Sequence, residues 1–91
     1  MEISGITAQA GTLESGDILI TITMGEQDKG IEIELESPSH AVYGQQILNT
    51  ITGTLNDLGV RSAYVKAQDR GALDCTISAR VEAAALRVLK K

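Results

Sequence analysis

A strict two-residue alternation over residues 31–36 constrains the fold of this chain more than any other feature. Three apolar side chains alternate with three glutamates there: Ile31, Glu32, Ile33, Glu34, Leu35 and Glu36. A β-strand sends successive side chains to opposite faces, so the carboxylates lie together on one face. Three unpaired carboxylates cannot be buried together. The segment therefore predicts a sheet with one face in water and one face covered by other elements.

Two earlier segments also alternate as strands do. Residues 5–12 and 17–24 have apolar side chains at every second position, and residues 17–24 are rich in β-branched side chains. Gly16, between them, can take the positive φ of a short hairpin loop. Because three strands follow one another with short connections, we expect an antiparallel meander.

A helix is expected after the third strand. Ser37 is suited to the N-cap and Pro38 to the first helical position. Five apolar residues then form one helical stripe: Ile47, Leu48, Ile51, Leu55 and Leu58. Gly59 stands where a left-handed residue ends many helices.

The last third of the chain predicts a strand over residues 60–67 and a turn over 68–71. Residues 72–79 fit both a strand and a helix; we favour a strand, then a helix over 80–90, because Asp69-Arg70-Gly71 resembles a hairpin turn. The predicted class is α+β: a small antiparallel sheet of four to five strands, packed on one face by two helices in the order β-β-β-α-β-β-α. We expect a single domain over residues 1–91.

Composition excludes several functional classes. The 91 residues include two tyrosines but no Phe or Trp, and the formal charge is −4. Single-stranded nucleic acid needs rings for stacking and duplexes need a basic surface, so we expect no nucleic-acid partner. No stretch resembles a membrane span or a signal peptide, which predicts a cytoplasmic protein without a membrane partner. With one cysteine, one histidine and little volume for a substrate pocket, we expect neither a metal site nor catalytic residues.

The charge is unevenly distributed along the chain. Residues 1–46 carry eight acids and one base, a charge of −7, whereas residues 47–91 carry seven bases and four acids, a charge of +3. Two solvated faces of opposite sign are the simpler interpretation. The alternative is an acidic docking surface for a partner with a basic patch, to which Glu32, Glu34 and Glu36 would contribute.

The loop around Ser15 is, by its residues alone, a polar turn. It lacks the first glycine of a G-x-S-x-G nucleophile elbow, and it is no phosphate-binding glycine loop. However, residues 10–18 read Ala-Gly-Thr-Leu-Glu-Ser-Gly-Asp-Ile, which closely resembles the N-terminal signature of the citrate lyase acyl carrier proteins, the gamma subunits of that complex. Residues 69–75 (Asp-Arg-Gly-Ala-Leu-Asp-Cys) and 79–83 (Ala-Arg-Val-Glu-Ala) are similar to the family's C-terminal region.

The resemblance implies a carrier subunit without an active site. It implies that Ser15 bears, through a phosphodiester, the prosthetic group 2'-(5''-phosphoribosyl)-3'-dephospho-CoA, whose thiol holds acetyl and citryl thioesters. The implied partners are the alpha and beta subunits of citrate lyase, which exchange acetyl for citrate and cleave the citryl thioester to oxaloacetate, and the transferase that attaches the group. Glu14 and Asp17 are either solvated turn acids or contacts for that transferase.

Two alternatives stay open at this point. The acyl carrier subunit of malonate decarboxylase uses the same type of group, and a structural or regulatory α+β module would carry none. A fatty-acid-type carrier is disfavoured because that family is helical, with Asp-Ser-Leu at a helix start. Cys75 alternates with core positions and predicts a buried, inert thiol. His40 is interpreted as a surface or capping residue at the start of the first helix.

Overall fold

The computed structural model describes residues 7–25, 30–38 and 40–89, with the side chain of His40 outside that description. It contains a four-stranded sheet and two helices, which is the predicted α+β class. The elements are β1 (Thr7–Ala10), β2 (Ile18–Met24), β3 (Ile31–Glu36), α1 (His40–Asp57), β4 (Ala63–Asp69) and α2 (Asp74–Leu89).

The strands lie in the order β1-β2-β4-β3. β1 and β2 form the predicted antiparallel hairpin, and β4 pairs antiparallel with β2. The predicted meander is wrong beyond this hairpin, because β3 pairs with β4 and does so in parallel. Helix α1 is the crossover that returns the chain to the start of β3 and so delivers β4 in the same direction. Alternation determined which face each strand buries, but it contains no information about which strand lies beside it.

The glutamate face of β3 is exposed, as the alternation predicted. Glu32, Glu34 and Glu36 lie in water, while the apolar residues of β3 are only half-buried because β3 is an edge strand. A row of charges on an edge strand also opposes pairing with another chain. Strand β4 is one of the two central strands, and its inward residues Ala63 and Val65 are accordingly buried almost completely.

The core lies between the helices and one face of the sheet, and it is entirely aliphatic. Its largest fully buried apolar side chains are Ile18, Ile20, Ile22, Ile51, Leu55, Ile77, Val65 and Val81. Both tyrosines are partly exposed, Tyr43 at 55% and Tyr64 at 37%. The apolar stripe predicted for α1 is confirmed at Ile47, Ile51 and Leu55, which are buried, and its flanking leucines are half-buried.

The predicted strand over residues 72–79 is wrong. Helix α2 begins at Asp74, and the described residues contain no fifth strand. Five residues of α2 are buried in helical register: Ile77, Val81, Ala84, Ala85 and Val88. The predicted helix over 80–90 would have contained four of these residues, but Ile77 lies one turn before Val81 on the same stripe, so the helix begins earlier and buries Ile77 with the others. Cys75 accordingly lies exposed on the first turn of α2, contrary to the prediction of a buried thiol.

The ends of α1 are partly as predicted. Gly59 has a positive φ of 80°, as expected for a C-terminal cap. The predicted start is wrong, because α1 begins at His40 and Pro38 lies in the preceding turn. The Ser37 hydroxyl donates to Asp69 Oδ2 at 2.8 Å, which joins the end of β3 to the end of β4. Within residues 7–25, 30–38 and 40–89, neither helix is long and apolar enough to cross a membrane.

Candidate functional site

One end of the sheet gathers five chain segments. The β1–β2 turn lies there because these strands are antiparallel, and the parallel strands β3 and β4 both end there. Helices α1 and α2 follow those strands, so both also begin at this end. We call this the Ser15 end, defined by the β1–β2 turn (residues 11–17) and the β4–α2 connection (residues 70–73).

Ser15 lies exposed in the β1–β2 turn. The Thr12 hydroxyl donates to Asp17 Oδ2 at 2.8 Å and accepts from the backbone N–H of Glu14 at 3.2 Å. The backbone N–H of Asp17 donates to the carbonyl of Glu14 at 3.0 Å, and Gly16 takes the predicted positive φ, at 84°. These bonds hold both sides of the turn and leave the Ser15 side chain facing water.

Asp17 anchors this turn to helix α2. Its carboxylate accepts from Arg80 Nε at 2.9 Å and Nη2 at 3.1 Å, a bidentate ion pair, and from the backbone N–H of Ile18 at 2.7 Å. The hydrogen bond from Arg80 lowers the pKa of Asp17 from 3.8 to about 2, with help from the Ile18 and Thr12 donors and against the opposing effect of burial. Asp17 is thus not a solvated turn acid, because its carboxylate is engaged within the chain. The exposed Glu14 is the acid in the turn that is available to a partner.

Gly11 brings the turn close to β2. Its φ is 101°, and a Cβ built there would lie 1.9 Å from the carbonyl oxygen of Ile18. Only glycine can both take this positive φ and let its Cα lie so close to the Ile18 carbonyl. The space beside Gly16 is different, since a Cβ there would meet nothing within 4 Å.

Backbone hydrogen bonds join the turn to the β4–α2 connection. The N–H of Gly16 donates to the carbonyl of Arg70 at 2.7 Å, and the N–H of Arg70 donates to the carbonyl of Asp17 at 2.9 Å. The Arg70 side chain lies 3.6 Å from Glu36 at the end of β3. The segments 10–18 and 69–75, which are far apart in sequence, are therefore in direct contact, and Arg80 from segment 79–83 joins them through Asp17.

Comparison with known proteins shows which family the chain belongs to. A family model described as "Malonate decarboxylase delta subunit (MdcD)" matches residues 6–88. A citrate lyase acyl carrier protein of Lactobacillus helveticus is 55% identical over 87 residues, 96% of this chain and 87% of the relative. The proteins of that name from Lactiplantibacillus plantarum (50% identical, 99% and 91% covered) and Halothermothrix orenii (45% identical, 92% and 87% covered) are also similar. The chain belongs to the citrate lyase acyl carrier protein family.

Several residues at the Ser15 end of this acyl carrier family member escaped the sequence analysis. Arg80 and Thr12 were not singled out, because an ion pair between residues 63 positions apart leaves no local signal. The one sequence signal for Arg80 was its position in segment 79–83, which is similar to the C-terminal region of the family. His40 begins α1 at this end, and its side chain lies outside the described residues. Among the described residues, no group of three or more His, Cys, Asp or Glu side chains could hold a metal ion.

Proposed function

We propose that this chain is a single acyl carrier domain, the non-catalytic carrier subunit of a cytoplasmic citrate lyase complex. In this proposal Ser15 is the attachment site of 2'-(5''-phosphoribosyl)-3'-dephospho-CoA. The observation that carries the proposal is the exposure of Ser15 in a turn whose neighbours are fixed by hydrogen bonds and an ion pair. The names of the relatives supply the complex in which such a carrier acts.

The surroundings of Ser15 fit a bulky phosphodiester-linked group. The hydroxyl is in water, the following residue has no side chain, and the space beside Gly16 is open to 4 Å. A serine hydroxyl is a weak nucleophile until a base removes its proton. Asp17 is held by Arg80 and Thr12, so we assign the base to the transferase rather than to this chain.

The residues around Ser15 provide a fixed anchor for a long arm. When bound, the group supplies a terminal thiol that carries acetyl and citryl as thioesters. The Asp17–Arg80 pair and the bonds to Arg70 hold the point from which the arm extends. A tether raises the effective concentration of its thioester at each partner active site, so the alpha and beta subunits need not bind a free acyl thioester tightly.

The carrier subunit of malonate decarboxylase is the second candidate, favoured by the description of the matching family model. Reconstitution separates the two. We expect the loaded chain to restore citrate cleavage to citrate lyase alpha and beta subunits. Restoration of malonate decarboxylation alone would select the second candidate.

The central test is the mass of the protein from its native host grown on citrate. We expect the intact chain to exceed its unmodified mass by the phosphodiester-linked group and the excess to map to the Ser15 peptide. A bare chain in those cells contradicts the proposal. Ser15→Ala should fold with nearly unchanged stability, as exposed positions do, and should lose both the added mass and the activity of the reconstituted complex.

Thr7→Ala provides the matched control for this test. Thr7 carries an exposed hydroxyl at the far end of the same hairpin, where it pairs with Thr23. The variant should keep the added mass and the activity. Retention of both by Ser15→Ala would move the attachment to another residue.

A further inference from the structure

A cleft of about 430 Å³ opens at the Ser15 end, between α1 and the β4–α2 connection. Tyr43 and Ile47 form one wall and Ala72 and Leu73 the other. Leu73 is 70% exposed and Tyr43 is 55% exposed, although both are large apolar side chains. Other large apolar side chains are exposed elsewhere on the molecule, but Tyr43 and Leu73 are the two exposed ones that line this cleft, which gives it an apolar surface outside the core.

The cleft is within reach of a group attached to Ser15. The N–H of Gly16 lies 2.7 Å from the carbonyl oxygen of Arg70, and the next residue, Gly71, lines the cleft. With standard backbone dimensions, the Cα atoms of Ser15 and Gly71 are therefore no more than about 8 Å apart. The first aromatic ring along the proposed arm, adenine, is separated from Ser15 by a phosphate and two riboses, which span that distance.

The polar groups of the cleft select a neutral heterocycle rather than a phosphate. The described lining residues include the carboxylates of Asp69 and Asp74 and no basic side chain. Asp69 is already engaged by Ser37 and by the N–H of Ala72. Asp74 is exposed at the first turn of α2, where it accepts a bond from Gln46 at 2.7 Å. A flat base gains contact with Tyr43 and Leu73, and its amino group meets a carboxylate acceptor, whereas a pyrophosphate would be repelled.

We propose that this cleft binds the adenine ring of the prosthetic group on Ser15, with the base stacked on Tyr43 and its amino group facing Asp74. The proposal rests on the proposed function, since it needs the group to be attached at Ser15. Binding of the base holds the proximal part of the arm against the carrier and leaves the thiol-bearing chain beyond the pyrophosphate free to move. The length of arm that swings between partners is then set at the cleft rather than at Ser15.

The test compares unloaded and loaded full-length protein, after intact mass has established that the loaded form carries the group on Ser15. In a Tyr64→Phe background Tyr43 is the one tyrosine, and we expect loading to quench most of its emission through stacking. We also expect the amide signals of residues 71–74 and of Gln46 and Ile47 to shift between the two forms. Tyr43→Ala should reduce the equilibrium constant for docking of the base about ten-fold, as removal of one stacking ring does, and strongly reduce the shifts at residues 71–74.

Val42→Ala provides the matched control, because Val42 is 75% exposed beside Tyr43 on α1 and does not line the cleft. It should leave the amide shifts unchanged. Loaded protein of confirmed mass whose signals differ from the unloaded form only around Ser15 would overturn the cleft proposal and leave the carrier function intact. Absence of the added mass would instead remove the proposed function itself, so the two failures are distinguishable.

Discussion

The Asp17 carboxylate is the residue that holds the Ser15 turn to the rest of the molecule. It receives hydrogen bonds from Arg80 in α2, from Thr12 across the turn and from the backbone at the start of β2. The Asp17 side chain is 14% exposed and that of Arg80 is 40% exposed. The pair is therefore partly screened by water, and its contribution to stability is smaller than the pKa of Asp17 alone would suggest.

Asp17→Asn should lower the free energy of unfolding by about 1 kcal/mol at about pH 7. The folded-state pKa of Asp17, about 2, lies below the ordinary 3.8, so the ionised carboxylate stabilises the fold above that ordinary value and loses this contribution as the pH falls toward 2. Urea unfolding at several pH values measures the difference, which should be roughly half its neutral value near pH 3. Glu14→Gln, an exposed acid in the same turn, is the control and should change stability little. An Asp17→Asn deficit that stays constant down to low pH would contradict the ion-pair explanation.

At the scale of the element, the β1–β2 turn depends on two glycines for different reasons. Gly11→Ala should destabilise the fold by more than about 2 kcal/mol, because the new Cβ must displace the backbone of Ile18 in addition to adopting a positive φ. Gly16→Ala has the positive φ without the contact, and should cost about 1 kcal/mol. Denaturant unfolding of both variants measures the two losses in the free energy of unfolding. Equal losses would mean that the close approach of Gly11 to β2 contributes nothing.

The same element scale shows what the sequence could and could not predict. The hairpin, the wet face of β3 and the apolar stripe of α1 followed from local periodicity, since each pattern spans its own segment. Residues 72–79 did not, because Leu73, Ile77 and their small neighbours fit either period and the choice depends on packing against the sheet. The placement of β4 between β2 and β3 is likewise a consequence of the α1 crossover, which no local pattern contains.

The features of the candidate site also divide into those that a local sequence pattern predicts and those that depend on packing. Exposure of Ser15 followed from the turn chemistry of its neighbours, with Gly16 supplying the positive φ. The partners of Asp17 did not, because Arg80 lies in an element that had to be packed on the sheet before the two could meet. Gly11 was missed because its constraint is a contact with Ile18 rather than a feature of the turn sequence.

At the scale of the whole molecule, the two ends of the sheet differ in chemistry. The Ser15 end has the β1–β2 turn, the starts of both helices and the cleft at Tyr43. The opposite end contains the end of β2 and the ends of both helices. There the N–H of Gly25 donates to the carbonyl of Ser62, and the N–H of Ala63, the first residue of β4, donates to the carbonyl of Gly30. A carrier that must present one point to several enzymes would concentrate its contacts at the first of these ends.

Two leucines of nearly equal exposure, one at each end of the molecule, test whether partners bind at the Ser15 end. Leu13 lies in the Ser15 turn at 48% exposure, and Leu89 lies at the far end of α2 at 50%. Each change to serine should alter stability by no more than about 0.5 kcal/mol, since neither side chain fills the core. If partners approach the Ser15 end, Leu13→Ser should slow attachment of the prosthetic group and weaken assembly with the alpha and beta subunits by several-fold, because exposed apolar side chains at an interface contribute by being desolvated. Leu89→Ser should leave the attachment rate and the affinity for the subunits unchanged. Equal effects of the two variants would show that partners do not distinguish the two ends of the molecule.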